Sequence, residues 1–213
     1  SERKKKRQKK DQRWFGLARH CLEKDKKSHN RPQQGKTESN KMKRHLILTC
    51  IAILVACSGP NTKKAIATVE PKNGSSVVGT IVFFEEKGVV KIKAEISGLG
   101  EGPVAIHLHG IGDCGSDDGK SAGGHRNPTN ENHGKWGTSP FHSGDIGNIQ
   151  IDGNGKGKLT LADQYGRWSI GGSPHTNVIG KAIVVHVGED DMSSQPSGAA
   201  GARIGCGVIK KRG

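Results

Sequence analysis

From Ala65 onward the chain is patterned with a period of two, and nothing else constrains its fold as strongly. Val77, Ile81 and Phe83 alternate with Val78, Thr80 and Val82. Val89, Lys91, Lys93 and Glu95 then alternate with Val90, Ile92, Ala94 and Ile96. Successive side chains of a strand point to opposite faces, so the alternation predicts strands with one buried face. Asn73-Gly74, Lys87-Gly88 and the stretch from Gly98 to Gly102 punctuate the runs and predict antiparallel turns between them. Further strands are expected at Val104–His109, Ile146–Ile151, Gly157–Ala162, Lys181–Val187 and Gly205–Lys210. About eight strands in about 150 residues predict an all-β, eight-stranded Greek-key β-sandwich or barrel. The composition agrees: 32 glycines and 4% aromatics suit short strands joined by turns better than helices. A loop of about 30 residues after His109 is too long to be a mere connection and needs something to tie it down.

The charge is not spread over this domain. Of the net +14, residues 1–41 carry +10 (15 Lys/Arg against 5 Asp/Glu) and residues 42–56 carry +2, which leaves +2 for the remainder. The folded domain is nearly neutral, so no nucleic-acid partner is expected for it. Residues 1–41 resemble a basic nuclear or RNA-binding arm. The reading favoured here is a disordered segment, or one absent from the mature protein. Met42-Lys43-Arg44-His45 then opens a basic stretch before Leu46–Val55, ten residues that are apolar apart from Thr49. That run is well short of the roughly 20 residues a membrane-spanning helix needs, and it fits the apolar core of a secretory signal. It ends in Leu54-Val55-Ala56-Cys57, which resembles a bacterial lipoprotein cleavage site. The expectation is a lipoprotein signal peptide over 42–56, lipidation of Cys57, a tether over 57–64 and a domain over 65–213. The destination expected is the periplasmic side of a bacterial membrane, with Ser58 pointing to the outer one. Only Cys114 and Cys206 lie within the domain body, which is compatible with one disulfide and an oxidising compartment.

Seven of the ten histidines follow residue 100: His107, His109, His125, His133, His142, His175 and His186. His107 and His109 are two apart on a strand, so both imidazoles leave the same face and make a half-site for copper or zinc. His186 ends the apolar run Ala182-Ile183-Val184-Val185 and can add a ligand from a neighbouring strand. His125, His133 and His142 follow one another in the long loop, with Asp145 three residues beyond. Three imidazoles and a carboxylate match a closed tetrahedral zinc site. His175, in Gly-Ser-Pro-His-Thr, sits in a turn-like context and is set aside.

These motifs occur together in one order. His107-Leu-His109 leads to Asp113-Cys114, then to the stretch from Ser121 to Pro128 around His125, His133-Gly, His142-Ser-Gly-Asp145, Val-Val-His186 and Gly201-Ala-Arg203-Ile-Gly-Cys206-Gly-Val-Ile. In this the chain resembles the copper,zinc superoxide dismutase family over about residues 65–211. The closeness of Cys114 to the paired histidines resembles the bacterial periplasmic branch. The resemblance implies one copper and one zinc per subunit and superoxide as substrate, on a barrel with long metal-binding and electrostatic-type loops. It implies His107, His109, His125 and His186 as copper ligands, and His125, His133, His142 and Asp145 as zinc ligands, with His125 shared and catalytic. It further implies a Cys114–Cys206 disulfide, Arg203 as the catalytic arginine that attracts the anion, and Asp190 linking a copper ligand to a zinc ligand. A homodimer is left open. Arg126 departs from the aromatic residue usual in the His-Phe-Asn-Pro motif. The segment after His186 holds Glu189, Asp190 and Asp191 but no lysine, so Arg126 and Lys135 become candidates for assisting Arg203. The alternative is a non-catalytic copper- and zinc-binding lipoprotein of the same fold.

Overall fold

The computed structural model describes residues 62–212. The basic segment 1–41, the expected signal at 42–56 and Cys57 lie outside the described residues. Nine strands occur, in the order β1 Lys64–Pro71, β2 Val78–Glu86, β3 Val89–Ser97, β4 Gly102–His109, β5 Gly147–Ile151, β6 Lys156–Ala162, β7 Ala182–His186, β8 Arg203–Val208 and β9 Lys210–Arg212. The sheet runs β2-β3-β6-β5-β4-β7-β8-β1-β9, and β2 also pairs with β1. That last pairing closes β1 to β8 into an antiparallel Greek-key barrel, with β9 added beside β1. The run expected over 205–210 is thus two strands. The break falls at Ile209, whose N–H donates to Lys181 O and whose carbonyl accepts from Gly180, so it leaves the β8 ladder.

The period-two pattern places the core as expected. Ile81 and Phe83 of β2, Ile92 of β3, Ile106 and Leu108 of β4, Ile149 of β5 and Ile183 and Val185 of β7 fill the barrel interior. On β4 and β7 the intervening residues are buried too: β4 is closed from Val104 to His109 and β7 over its whole length. Their outward faces are covered by loops rather than by another sheet. Ala182 and Val184 pack outward with Ala122, Cys206 and Cys114. The covering segment is the β4–β5 loop, including the short 3-10 helix Lys120–Ala122. It is joined to β8 by the Cys114–Cys206 disulfide, across 92 residues of sequence. It also runs back along β4: Gly110 donates to Gly124 O, Arg126 to Leu108 O, and Leu108 to Gly144 O.

The same loop is tied to the β6–β7 connection. Arg167 pairs with Glu131 and lies 4.5 Å from the centre of the Phe141 ring. Trp168 Nε1–H donates to Ser143 O at 2.7 Å. Trp136, Phe141, Tyr165 and Trp168 stack into one cluster there. Among the described residues no helix is long and apolar enough to cross a membrane.

Candidate metal centre

Two ligand groups lie between the outer barrel wall and its covering loops. His107, His109, His125 and His186 form one, and His125, His133, His142 and Asp145 form the other; within each, the candidate ligand atoms lie within 4.8 Å of one another. β4 supplies His107 and His109, outward-facing partners of the inward Ile106 and Leu108. β7 supplies His186 from the neighbouring strand, where the ladder with β8 shifts register between Val185 and His186. Such a bulge re-aims a side chain. The long loop supplies His125, His133 and His142, and the turn before β5 supplies Asp145.

The outward nitrogens of five imidazoles are each fixed by a hydrogen bond. His107 Nε2–H donates to Asp190 Oδ2 at 2.8 Å and His133 Nε2–H to Asp190 Oδ1 at 2.9 Å. His109 Nδ1–H donates to Gly123 O at 2.8 Å, His186 Nδ1–H to Gly201 O at 3.1 Å, and His142 Nε2–H to Glu131 O at 2.9 Å. A neutral imidazole that donates from one nitrogen presents a lone pair at the other. In the first group the inward atoms are His107 Nδ1, His109 Nε2, His125 Nε2 and His186 Nε2, all buried and without a hydrogen-bond partner. Four buried acceptors facing one another are unfavourable unless a cation fills the space between them.

The second group converges on one oxygen. Asp145 Oδ1 lies 2.8 Å from His125 Nδ1, 3.0 Å from His133 Nδ1 and 3.1 Å from His142 Nδ1. The other oxygen, Oδ2, accepts from the backbone N–H groups of Gly134 and His142. His133 Nδ1 faces the same oxygen at 3.0 Å. His125 is the exception among the six histidines: neither a backbone carbonyl nor Asp190 fixes it, and it places one nitrogen in each group.

The electrostatics divide in the same way. Burial, reinforced by neighbouring imidazoles, lowers the pKa of His109 to about 2, of His186 to about 3 and of His125 to about 4. These rings stay neutral and able to ligate. At His133 burial acts against the charged form, but hydrogen bonds and charge from Asp145 and Asp190 outweigh it and raise the pKa to about 9. Asp145 and Asp190 are held well below the usual carboxylate range: burial opposes ionisation, and the imidazole hydrogen bonds prevail. Arg203 Nη1–H donates to Gly119 O at 2.8 Å, and Arg203 stands opposite His186 in the β7–β8 ladder, beside the first group.

Arg126 is not available to guide an anion. It is only 5% exposed, and its Nη2–H donates to Pro174 O at 2.8 Å. It ties the metal-binding loop to the β6–β7 connection, which is a structural use of the position. Lys135 is exposed, and so is His175, which joins neither group. Sequence patterning offered no sign of the carbonyls of Gly123, Glu131 and Gly201, because a backbone oxygen carries no residue identity. It also passed over Asn148 and Gly198, which contact Asp190.

An eight-stranded Greek-key barrel with two histidine-rich pockets on its outer wall, joined by a single imidazole, defines a binuclear metalloprotein. The chain belongs to the copper/zinc superoxide dismutase family, whose model matches residues 77–209. It is 38% identical over 170 residues to "Superoxide dismutase [Cu-Zn]" of Paramecium bursaria Chlorella virus 1, covering 76% of this chain and 88% of the viral protein. It is 33% identical over 153 residues to "Superoxide dismutase [Cu-Zn] 2" of Mesembryanthemum crystallinum, covering 68% of this chain and 94% of the plant protein. Among solved structures it is similar to the clock protein EA4, with a TM-score of 0.62 and 32% identity over 72% of this chain and 97% of that one. Copper and zinc are the metals of this family, and the two groups suit them: imidazoles alone for copper, three imidazoles and a carboxylate for zinc.

Proposed function

We infer that this chain is a superoxide dismutase, converting two superoxide ions and two protons into dioxygen and hydrogen peroxide. The observation that carries the reading is His125, whose Nδ1 faces Asp145 in one group and whose Nε2 stands unpartnered in the other. His107, His109, His125 and His186 would hold copper, and His125, His133, His142 and Asp145 would hold zinc. Bound copper supplies a one-electron couple that takes an electron from one superoxide and returns it to the next, while zinc supplies charge and no redox chemistry. His125 Nε2 would carry a proton in the reduced half of the cycle and release it to the departing peroxide. The carbonyls of Gly123 and Gly201 and the carboxylate of Asp190 keep His109, His186 and His107 oriented while this proton moves. Arg203 would draw the anionic substrate in, from a position held by Gly119 O.

The test is superoxide decay in the presence of the chain from Cys57 onward, loaded with copper and zinc. Rapid, cyanide-sensitive dismutation is expected. Inactivity with both metals bound would overturn the enzyme reading in favour of a metal-binding protein of the same fold.

We also propose a bacterial, lipid-anchored form. Residues 42–56 would be removed as a signal, Cys57 acylated, and the domain displayed on the periplasmic side of the outer membrane, with the stretch between Cys57 and the barrel as tether and 1–41 absent from the mature protein. The charge, length and cleavage pattern of that segment support this, and a disulfide suits an oxidising compartment. Intact-mass measurement and membrane fractionation of wild type and Cys57→Ser test it; a soluble, unacylated wild type would overturn it. A homodimer is the corresponding proposal for assembly, supported by Ile111, an aliphatic side chain 55% exposed two residues beyond His109. Sedimentation of Ile111→Asp against wild type tests it, and a monomeric wild type would exclude it.

A further inference from the structure

Asp190 accepts hydrogen bonds from His107 of the first group and His133 of the second, yet it lies in the connection between β7 and β8. Its backbone is held from outside that connection. Asp190 N–H donates to Asn148 Oδ1 at 2.8 Å, and Asn148 Nδ2–H donates back to Asp190 O at 2.9 Å. Asn148 belongs to β5, three residues beyond Asp145. It pairs with Ala105 of β4, and Ala105 N–H donates to Gly188 O two residues before Asp190. The β7–β8 connection is therefore docked on two cross-strand neighbours of the rigid barrel wall.

The consequence bears on His133. Its ring lies between two carboxylates, with Nδ1 3.0 Å from Asp145 Oδ1 and Nε2 2.9 Å from Asp190 Oδ1. Asp145 enters from the start of β5, and Asp190 is clamped to the same strand by Asn148. A single short stretch of backbone, 145 to 148, thus sets the distance between the two carboxylates and with it the position of His133.

We propose that Asn148 is a positioning residue for the zinc-binding group, acting by clamping the Asp190 backbone so that its carboxylate orients His133 and His107. The proposal rests on the reading of His133 and Asp145 as zinc ligands. Partners that orient a ligating imidazole are each worth about 10- to 100-fold in metal affinity, and Asn148 acts one step behind such a partner. Asn148→Leu removes both bonds while keeping the same branched arrangement of heavy atoms. Asn148→Asp keeps the acceptor for Asp190 N–H but loses the donor and sets a negative charge against Asp190 O.

The experiment measures zinc dissociation from the copper- and zinc-loaded protein by chelator competition, together with hydrogen exchange at the Asp190 amide and the unfolding midpoint after zinc removal. Zinc dissociation constants should rise about tenfold in Asn148→Leu and less in Asn148→Asp, with faster exchange at Asp190 in the same order. The unfolding midpoints after zinc removal should change little. If wild type takes up zinc and both variants hold it equally well, Asn148 is not a positioning residue, although the metal assignment stands. If wild type takes up no zinc, the assignment and the proposal fall together. Should Asn148→Leu not fold, the milder Asn148→Asp decides the matter by the same readouts.

Discussion

His107 and Asp190 are 83 residues apart in sequence and 2.8 Å apart in the fold, with both side chains fully or almost fully buried. The bond fixes the tautomer of His107, so that Nδ1 faces His109, His125 and His186. The second oxygen of the same carboxylate fixes His133. One buried charge thus orients a member of each metal-binding group.

Asp190→Asn is therefore expected to weaken both groups unequally. The amide offers one acceptor oxygen and a donating NH2 group in place of two acceptor oxygens, so one of the two histidines loses its partner and its preferred tautomer. Metal affinity should fall by about 10- to 100-fold at the group that loses the contact. Titration with competing chelators for copper and for zinc, on protein with wild-type far-ultraviolet circular dichroism, measures it.

Arg203→Glu should slow superoxide decay by about tenfold or more, because it reverses the charge next to the copper-type group. The salt response should also change. Wild type is expected to slow as ionic strength rises, and the variant to slow less or to speed up. Unchanged kinetics at low salt would remove Arg203 from substrate guidance.

Replacing Cys114 and Cys206 together by serine should lower stability by about 2 to 4 kcal/mol, since the disulfide closes a long loop. The measurement is the denaturant midpoint of oxidised wild type against the double variant. The loss should be accompanied by faster hydrogen exchange near Lys120–Ala122, where the loop packs on Cys206.

The protein stripped of its metals should be most stable near pH 6.5. His109, His125 and His186 have pKa values depressed from 6.5 to about 2, 4 and 3, mainly by burial. Their contribution is fully present above about pH 6.5 and is lost as pH falls toward 4, because the unfolded chain then binds protons that the fold refuses. His133 runs the other way. Burial disfavours its charged form, but Asp145 and Asp190 outweigh burial and raise its pKa to about 9. Its contribution is present below about pH 6.5 and is lost as pH rises through 9. Unfolding midpoints from pH 4 to pH 10 should trace a maximum between these limbs.

Gly198→Ala should disturb the centre from a distance in sequence. A methyl group there would overlap Asp190 Oδ1 and approach His133 Nε2 to 2.8 Å, on a backbone with φ of +69°. Weaker zinc retention is expected, with a smaller loss at the copper-type group, measured by metal content after dialysis against chelator.

Local pattern was enough to place the strands, because a residue's face in a strand depends only on its parity. That is why the alternating runs read as strands with one buried face, and why His107 and His109 share a face, from the sequence alone. The ligand set was legible for a different reason: seven of the ten histidines follow residue 100, and six of them fall with Asp145 into the ordered motifs of one family. Parity cannot report what covers a face. That Arg126 would be buried against Pro174 rather than open to substrate depended on how the metal-binding loop packs against the β6–β7 connection. The split between β8 and β9 at Ile209 likewise depended on backbone partners at Gly180 and Lys181. The clamp from the Asn148 side chain to the Asp190 backbone and the glycine carbonyls behind His109 and His186 are through-space relations that involve backbone groups. Every residue offers the same N–H and C=O, so only the closed barrel and its docked loops select which of them meet.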